Sequence, residues 1–169
     1  MKTAISMNFT QLQDNTIKLV LLDKNYAQDI LKNNTGNVRD YFIPFNNIDE
    51  VNEWIDETDI KIKSRDKLET VVLSNIGEFL GMVAFDTLND GIAEIRLWLK
   101  PETQGKGIGK KAVNLLLDWF KSEYPNKQVR YTAEIANIPS VMLAKSLGLK
   151  LNKEFVDEDG TDSVEYLLF

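Results

Sequence analysis
The 169-residue chain contains no cysteine and no histidine. Without cysteine there is no disulfide, no thiolate nucleophile and no zinc–thiolate centre. Without histidine there is no Ser-His-Asp triad, no Cys-His pair, no imidazole metal ligand, and none of the commonest general base. Any catalysis must therefore run on carboxylates, hydroxyls, amines, backbone dipoles or a bound cofactor. Long apolar runs are missing too. The opening residues, MKTAISMNFTQLQDNT, lack the apolar core of a secretory signal, and nowhere do about 18 apolar residues follow one another. The expectation is a soluble, cytoplasmic protein with no membrane partner. Positive charge is also in deficit, with 20 Lys and Arg against 26 Asp and Glu and a net charge of −6. That balance argues against a nucleic-acid partner. It favours a cationic partner such as an amine, or serves only solubility.

What is present reads as one domain over residues 16–169 behind a short N-terminal extension, 1–15. TIKLVLL (Thr16–Leu22) alternates like a strand, and KNYAQDILKNN (Lys24–Asn34) reads as a short helix. In Asn47–Ser64, Ile48, Val51 and Ile55 recur at helical intervals behind an acidic first turn. Three strand-like runs follow, Glu69–Ser74, Phe79–Asp86 and Ile92–Leu99, with turn signals between them, which predicts an antiparallel meander. A helix is expected from Ile108 to about Glu123, a strand over Gln128–Ile135, a helix over Ser140–Leu147 ended by Gly148, and a closing strand over Asp162–Phe169. This order predicts an α+β fold with a mixed sheet, the helix after Leu99 leading to a strand that lies parallel beside it. DEDGTD (Asp157–Asp162) lacks the glycine and the closing glutamate of a calcium loop and reads as a hairpin turn, so no metal is expected.

The chemistry concentrates in PETQGKGIGKKAV (Pro101–Val113). A P-loop requires a glycine five residues before its second glycine and then Lys-Ser/Thr; here Gln104 and Lys111 occupy two of those positions. Gly107, Gly109 and Ala112 fit the dinucleotide spacing, but a seven-residue connection separates the strand from the first glycine of that pattern, and a meander precedes it. The third reading takes Gln104-Gly105-Lys106-Gly107-Ile108-Gly109 together. Backbone N–H groups without Cβ obstruction form an anion nest at a helix N-terminus, with Lys106, Lys110 and Lys111 adding positive charge. The alternative is a loop that only turns the chain.

Gln104–Gly109 resembles the Q/R-x-x-G-x-G/A signature of the GNAT N-acetyltransferase family. AEIRLWLKPETQGKGIG and NIPSVMLAKSLGLK are similar to the strand, loop and following helix of its ribosomal-protein (RimJ/RimL-like) branch, and TIKLVLLDKNYAQDILK and VNEWIDE to its amino-terminal half. The resemblance implies a mostly antiparallel central sheet with helices on both faces. It implies acetyl-CoA as co-substrate, and direct transfer of acetyl to a primary amine, either a protein N-terminus or a small cationic amine, by a monomer or homodimer. The pyrophosphate would fall to Gln104, Gly105, Lys106, Gly107, Ile108, Gly109 and Lys110, the pantetheine arm to Leu97 and Leu99, and the pantetheine or phosphate arm to Asn137, with Lys145 a further cofactor-binding candidate. Glu94 is the first candidate for general base, with a structural ion pair to Arg96 as its alternative; Glu134 is the second candidate. The tyrosine that protonates the leaving thiolate in many members is replaced by Ala144, which leaves Ser140 as substitute acid or as a helix cap. Ala144 also keeps open a rival reading, a non-catalytic acyl-CoA-binding module. Tyr41, Phe42, Trp98 and Glu134 are the candidate acceptor contacts.

Overall fold
The computed structural model describes residues 9–168. Eight strands form one sheet in the order β1-β2-β3-β4-β5-β6-β8-β7. They are β1 (Leu12–Gln13), β2 (Ile17–Leu21), β3 (Leu68–Ser74), β4 (Phe79–Asp86), β5 (Ile92–Leu99), β6 (Gln128–Glu134), β7 (Lys150–Val156) and β8 (Asp162–Leu168). Every pairing is antiparallel except β5 with β6. That pair needs a crossover, and α4 (Ile108–Glu123) supplies it. The α+β architecture and the mixed, mostly antiparallel sheet are thus as the sequence predicts.

Strand alternation sends side chains to two cores. On one face α4 buries Ala112, Val113, Leu116, Leu117 and Phe120 against Ala93 and Ile95 of β5 and Val129 and Tyr131 of β6. The rings of Phe85 and Phe120 meet there at 4.4 Å. On the other face α1 (Ala27–Asn33), α2 (Gly36–Tyr41) and α3 (Ile48–Lys63) cover Val71, Met82 and Trp98. Asn47 caps α3 by accepting hydrogen bonds from the N–H groups of Asp49 and Glu50, which the acidic first turn reinforces. Each fully buried aliphatic or Phe side chain contributes about 1.5–3 kcal/mol of transfer free energy.

Three local features depart from the sequence reading. Residues 36–41, to which the sequence pattern assigns no element, form α2, a six-residue helix whose buried side chain is Val38; tertiary packing, not periodicity, makes it. The helix expected to start at Ser140 is α5 (Ile138–Ser146), capped by Asn137 with Pro139 in its first turn, where a missing N–H costs nothing. Within the expected extension, Leu12 and Gln13 pair with β2 and Phe9 packs edge-on against Trp119 at 5.7 Å. Residues 1–8 of that extension, and Phe169 of the closing strand, lie outside the described residues. Among the described residues no helix is long and apolar enough to cross a membrane.

Candidate active site: a divided sheet beside a glycine nest
β5 and β6 pair over only three rungs, Ile92, Ala93 and Glu94 with Gln128, Val129 and Arg130. β5 continues to Leu99 against β4 and β6 continues to Glu134 against β8, so the two strands part beyond Glu94. The parted strands leave Ile95–Leu99 with no strand partner on that side. Unpaired strand edges present backbone N–H and C=O groups that an extended ligand can satisfy. Gly81 sets the close approach of β4 to the end of β5. It pairs with Leu99 at φ 151°, and a Cβ on it would stand 2.3 Å from the carbonyl oxygen of Trp98.

A cavity of about 480 Å³ fills the gap. Its walls include Leu97, Trp98 and Leu99 from β5, Tyr131 from β6, Asn137, Ser140 and Leu143 at α5, and Val38, Tyr41 and Phe42 at α2. The glycine loop closes one end through Gln104, Gly105, Gly107, Gly109 and Lys110. Gly105 and Gly107 take the left-handed conformation (φ 71° and 77°), and a Cβ on either would point into open space. Gly107 is the N-cap of α4 and offers no side chain to its first turn, whose N–H groups have no carbonyl partners within the helix. Gly109 serves another purpose. A Cβ there would approach Leu97 Cδ2 to 3.1 Å, so its absence lets α4 sit tightly on β5.

The Gln104 side chain is committed within the fold. Its Nε2 donates to the carbonyl of Leu99 at 2.9 Å, and its Oε1 accepts from Asn37 Nδ2 at 3.1 Å, tying α2 to the loop across the cavity. Asn137 Oδ1 accepts from the Ser140 N–H at 3.3 Å, so the cap belongs to Asn137, and Ser140 lines the cavity. Ala144 is fully buried in the core. Tyr131 lines the cavity from the opposite wall; burial raises the phenol's pKa, and the nearby Ser140 side chain only partly offsets it. The Trp98 ring lies between Phe42 (5.6 Å) and Phe79 (5.7 Å), and its indole N–H is buried with no acceptor among the described residues. An orphaned donor of this kind costs about 1–3 kcal/mol unless something satisfies it.

Glu94 lies at the point where β5 and β6 part, but its side chain turns to the other face. There its carboxylate meets Arg130 Nη2 at 3.0 Å and Arg96 Nη2 at 3.8 Å. Arg96 also pairs with Asp86, which pairs in turn with Lys67, and Lys67 with the buried Glu69. Burial pushes the Glu69 carboxyl above its usual range against the pull of Lys67. Burial works against the Lys67 ammonium as well, but the Glu69 and Asp86 charges outweigh it and raise its pKa. This network borders a second cavity of about 540 Å³, lined also by Trp54, Glu57, Lys61 and Asp66. Phe42 lines both cavities.

Of the sequence-predicted residues, Tyr41, Phe42, Leu97, Trp98, Leu99, Gln104, Gly105, Gly107, Gly109, Lys110, Asn137 and Ser140 come together around the first cavity. Lys106 is exposed beside it, Ile108 packs into the core, and Lys145 is exposed on α5. Glu94 opens on the second cavity, and Glu134 ends β6 outside both linings. Sequence reasoning missed Tyr131 and Asn37. The alternation of Val129, Tyr131 and Ala133 in QVRYTAE carried a signal for Tyr131 as an inward residue; nothing local marked Asn37.

The fold is shared with solved acetyltransferases. The chain is similar to RimL, a ribosomal alpha-N-protein acetyltransferase solved with coenzyme A (15% identity, 95% of this chain and 98% of that one, TM-score 0.85). It is similar to the microcin self-immunity acetyltransferase MccE, solved with acetyl-CoA and AMP (23%, 92% and 93%, 0.81). It is also similar to spermidine N-acetyltransferase from Vibrio cholerae, solved with CoA and spermine (21%, 92% and 96%, 0.76). A sequence search of curated proteins found no match. The family model described as acetyltransferase (GNAT) domain matches residues 17–150, and the chain belongs to that family.

Proposed function
We propose that this protein is a cytoplasmic N-acetyltransferase that moves acetyl from acetyl-CoA to a primary amine by direct attack. The observation that carries the reading is one cavity joining the unpaired edge of β5 to the uncapped, glycine-lined N-terminus of α4. The residues fit the group. Open space stands where Cβ atoms at Gly105 and Gly107 would be, the first-turn N–H groups of α4 suit a diphosphate, and the apolar walls suit a pantetheine arm. Acetyl-CoA supplies the activated acetyl thioester. The loop N–H groups and Lys110, with Lys106 beside them, bind phosphate oxygens; the backbone groups of Leu97, the N–H of Leu99 and the Asn137 side chain align the arm. Holding two reactants in register is worth up to roughly 7–11 kcal/mol of barrier in favourable systems.

The acceptor enters through the second cavity, which shares Phe42 with the first. Tyr41 and Phe42 bound its approach, Trp98 backs Phe42, and Glu94, at the parting of the strands, takes the amine proton directly or through water. Glu57, Asp66, Asp86 and Glu94 there face Lys61, Lys67 and Arg96, and Asp86 and Glu94 are already paired. So balanced a wall supports a singly charged amine such as a peptide N-terminus over a polyamine. The test is release of free thiol from acetyl-CoA with serine-initiated peptides and with spermidine. The chain has no cysteine, so released CoA is the only thiol in the assay. Thiol release dependent on peptide is expected; CoA binding without release for any acceptor would leave a binding module and remove the enzyme.

A further inference from the structure
Glu94 closes the short run over which β5 and β6 pair, and its partner in that last rung is Arg130. Residues in register on neighbouring strands present their side chains to the same face, so the pairing itself sets the guanidinium beside the carboxylate. Arg130 Nε at 3.1 Å and Nη2 at 3.0 Å both close on a single oxygen, Glu94 Oε2. The other oxygen, Oε1, accepts no hydrogen bond among the described residues; Arg96 Nη2 stands 3.8 Å from it, too far for one. Arg96 is shared with Asp86, whereas Arg130 has no other acidic partner among the described residues. Glu94 and Arg96 border the second cavity, and Arg130 is not part of its wall.

We propose that Arg130 is a positioning residue for acetyl transfer: it holds the Glu94 carboxylate by Oε2 and so presents Oε1 to the acceptor. Oε1 takes one proton from the acceptor's ammonium, directly or through one water, and leaves the neutral amine that the transfer needs. A glutamate side chain by itself spreads over several rotamers, and a planar guanidinium closing on one oxygen selects among them. The ion pair and the base are therefore two uses of one carboxylate, divided between its oxygens. This inference rests on the reading above that Glu94 is the base.

The test is steady-state thiol release from saturating acetyl-CoA with a serine-initiated peptide. Turnover is counted per CoA-binding site measured by calorimetry, so unfolded chains do not enter it. Arg130→Ala should lower kcat by about 10- to 100-fold, the range that misplacing a reacting group by about 1 Å can produce, with CoA affinity unchanged. Arg130→Lys keeps the charge but not the fork, and should recover part of the loss. Guanidinium ion at a non-denaturing concentration should restore Arg130→Ala and leave Glu94→Gln as it was. The double variant should be no slower than Glu94→Gln alone. A merely structural Arg130 would lower the melting temperature and leave kcat per site at the wild-type value. That result, or losses that multiply in the double variant, overturns the proposal while the base assignment stands. Wild-type turnover in Glu94→Gln overturns the base assignment, and CoA binding without thiol release in wild-type protein overturns the enzyme reading; either takes this inference with it.

Discussion

Gly107→Ala separates the two jobs of the glycine loop. The residue sits at φ 77° and ψ 1° as the N-cap of α4. An alanine held there costs about 1–2 kcal/mol of backbone strain, which lowers the melting temperature of a domain of this size by roughly 2–8 °C. The added methyl meets no protein atom within 4 Å, so the folded chain has no other reason to suffer. Gly107 lines the cavity, so the methyl takes up space there that the acetyl-CoA reading gives to the diphosphate. Displacing one charge-assisted hydrogen bond from a phosphate costs about 1.5–3 kcal/mol, which is a CoA affinity weaker by roughly 10- to 150-fold. Gly148→Ala is the matched control. Its φ is 75° and its Cβ also meets nothing, but it lies at the far end of α5, outside the cavity lining. Calorimetric titration with CoA, paired with thermal melts, should show similar destabilisation in both variants and weak binding in Gly107→Ala alone. Equal CoA affinity in the two variants would refute the anion cradle.

Glu94→Gln should lower turnover at least tenfold, within the usual range for general-base loss, and change CoA affinity less than twofold; unchanged turnover in steady-state assays removes Glu94 from the mechanism. Lys67→Met should destabilise the fold by about 3–5 kcal/mol at pH 7, because it strands the buried Glu69 carboxylate. Glu69 has a raised folded pKa, so its contribution is intact below the unfolded carboxyl value of about 4.3 and is lost as pH rises through the folded value. Losing Lys67 raises that pKa further, so urea titrations should show a smaller deficit at pH 4 than at pH 7; an equal deficit contradicts the ion-pair account. Gly81→Ala should cost about 1–3 kcal/mol in urea unfolding, since its Cβ meets backbone at 2.3 and 2.7 Å and β4 must part from β5; a neutral result would mean the strands there yield freely.

Where an element declares itself through local chemistry, the sequence and the structure agree closely. Ile108, Ala112, Leu116 and Phe120 repeat at helical spacing and form the buried stripe of α4; the meander from Leu68 to Leu99 follows alternation and turn residues. The glycine loop was legible for the same reason, because its spacing states which backbone must be left-handed and unobstructed. α2 was not legible, since a six-residue helix with one buried side chain has too little periodic signal to outweigh its glycine and its polar residues. Asn37 is invisible in sequence because its partner, Gln104, is 67 residues away.

Sequence alone therefore determined the glycine-lined, left-handed start of α4, in a chain with no cysteine or histidine to do other chemistry. Only the tertiary structure decided the rest of the site. Alternation placed Glu94 on the face opposite Leu97, but not against Arg130, whose contact with it depends on which strand runs beside β5. Tyr131 and Ser140 came to line one cavity because α5 packs against β6. Backbone conformation and helix caps are set by neighbours in the chain and can be read there. Which side chains share a cavity depends on strand order and on where β5 and β6 part, and those are properties of the whole packed sheet.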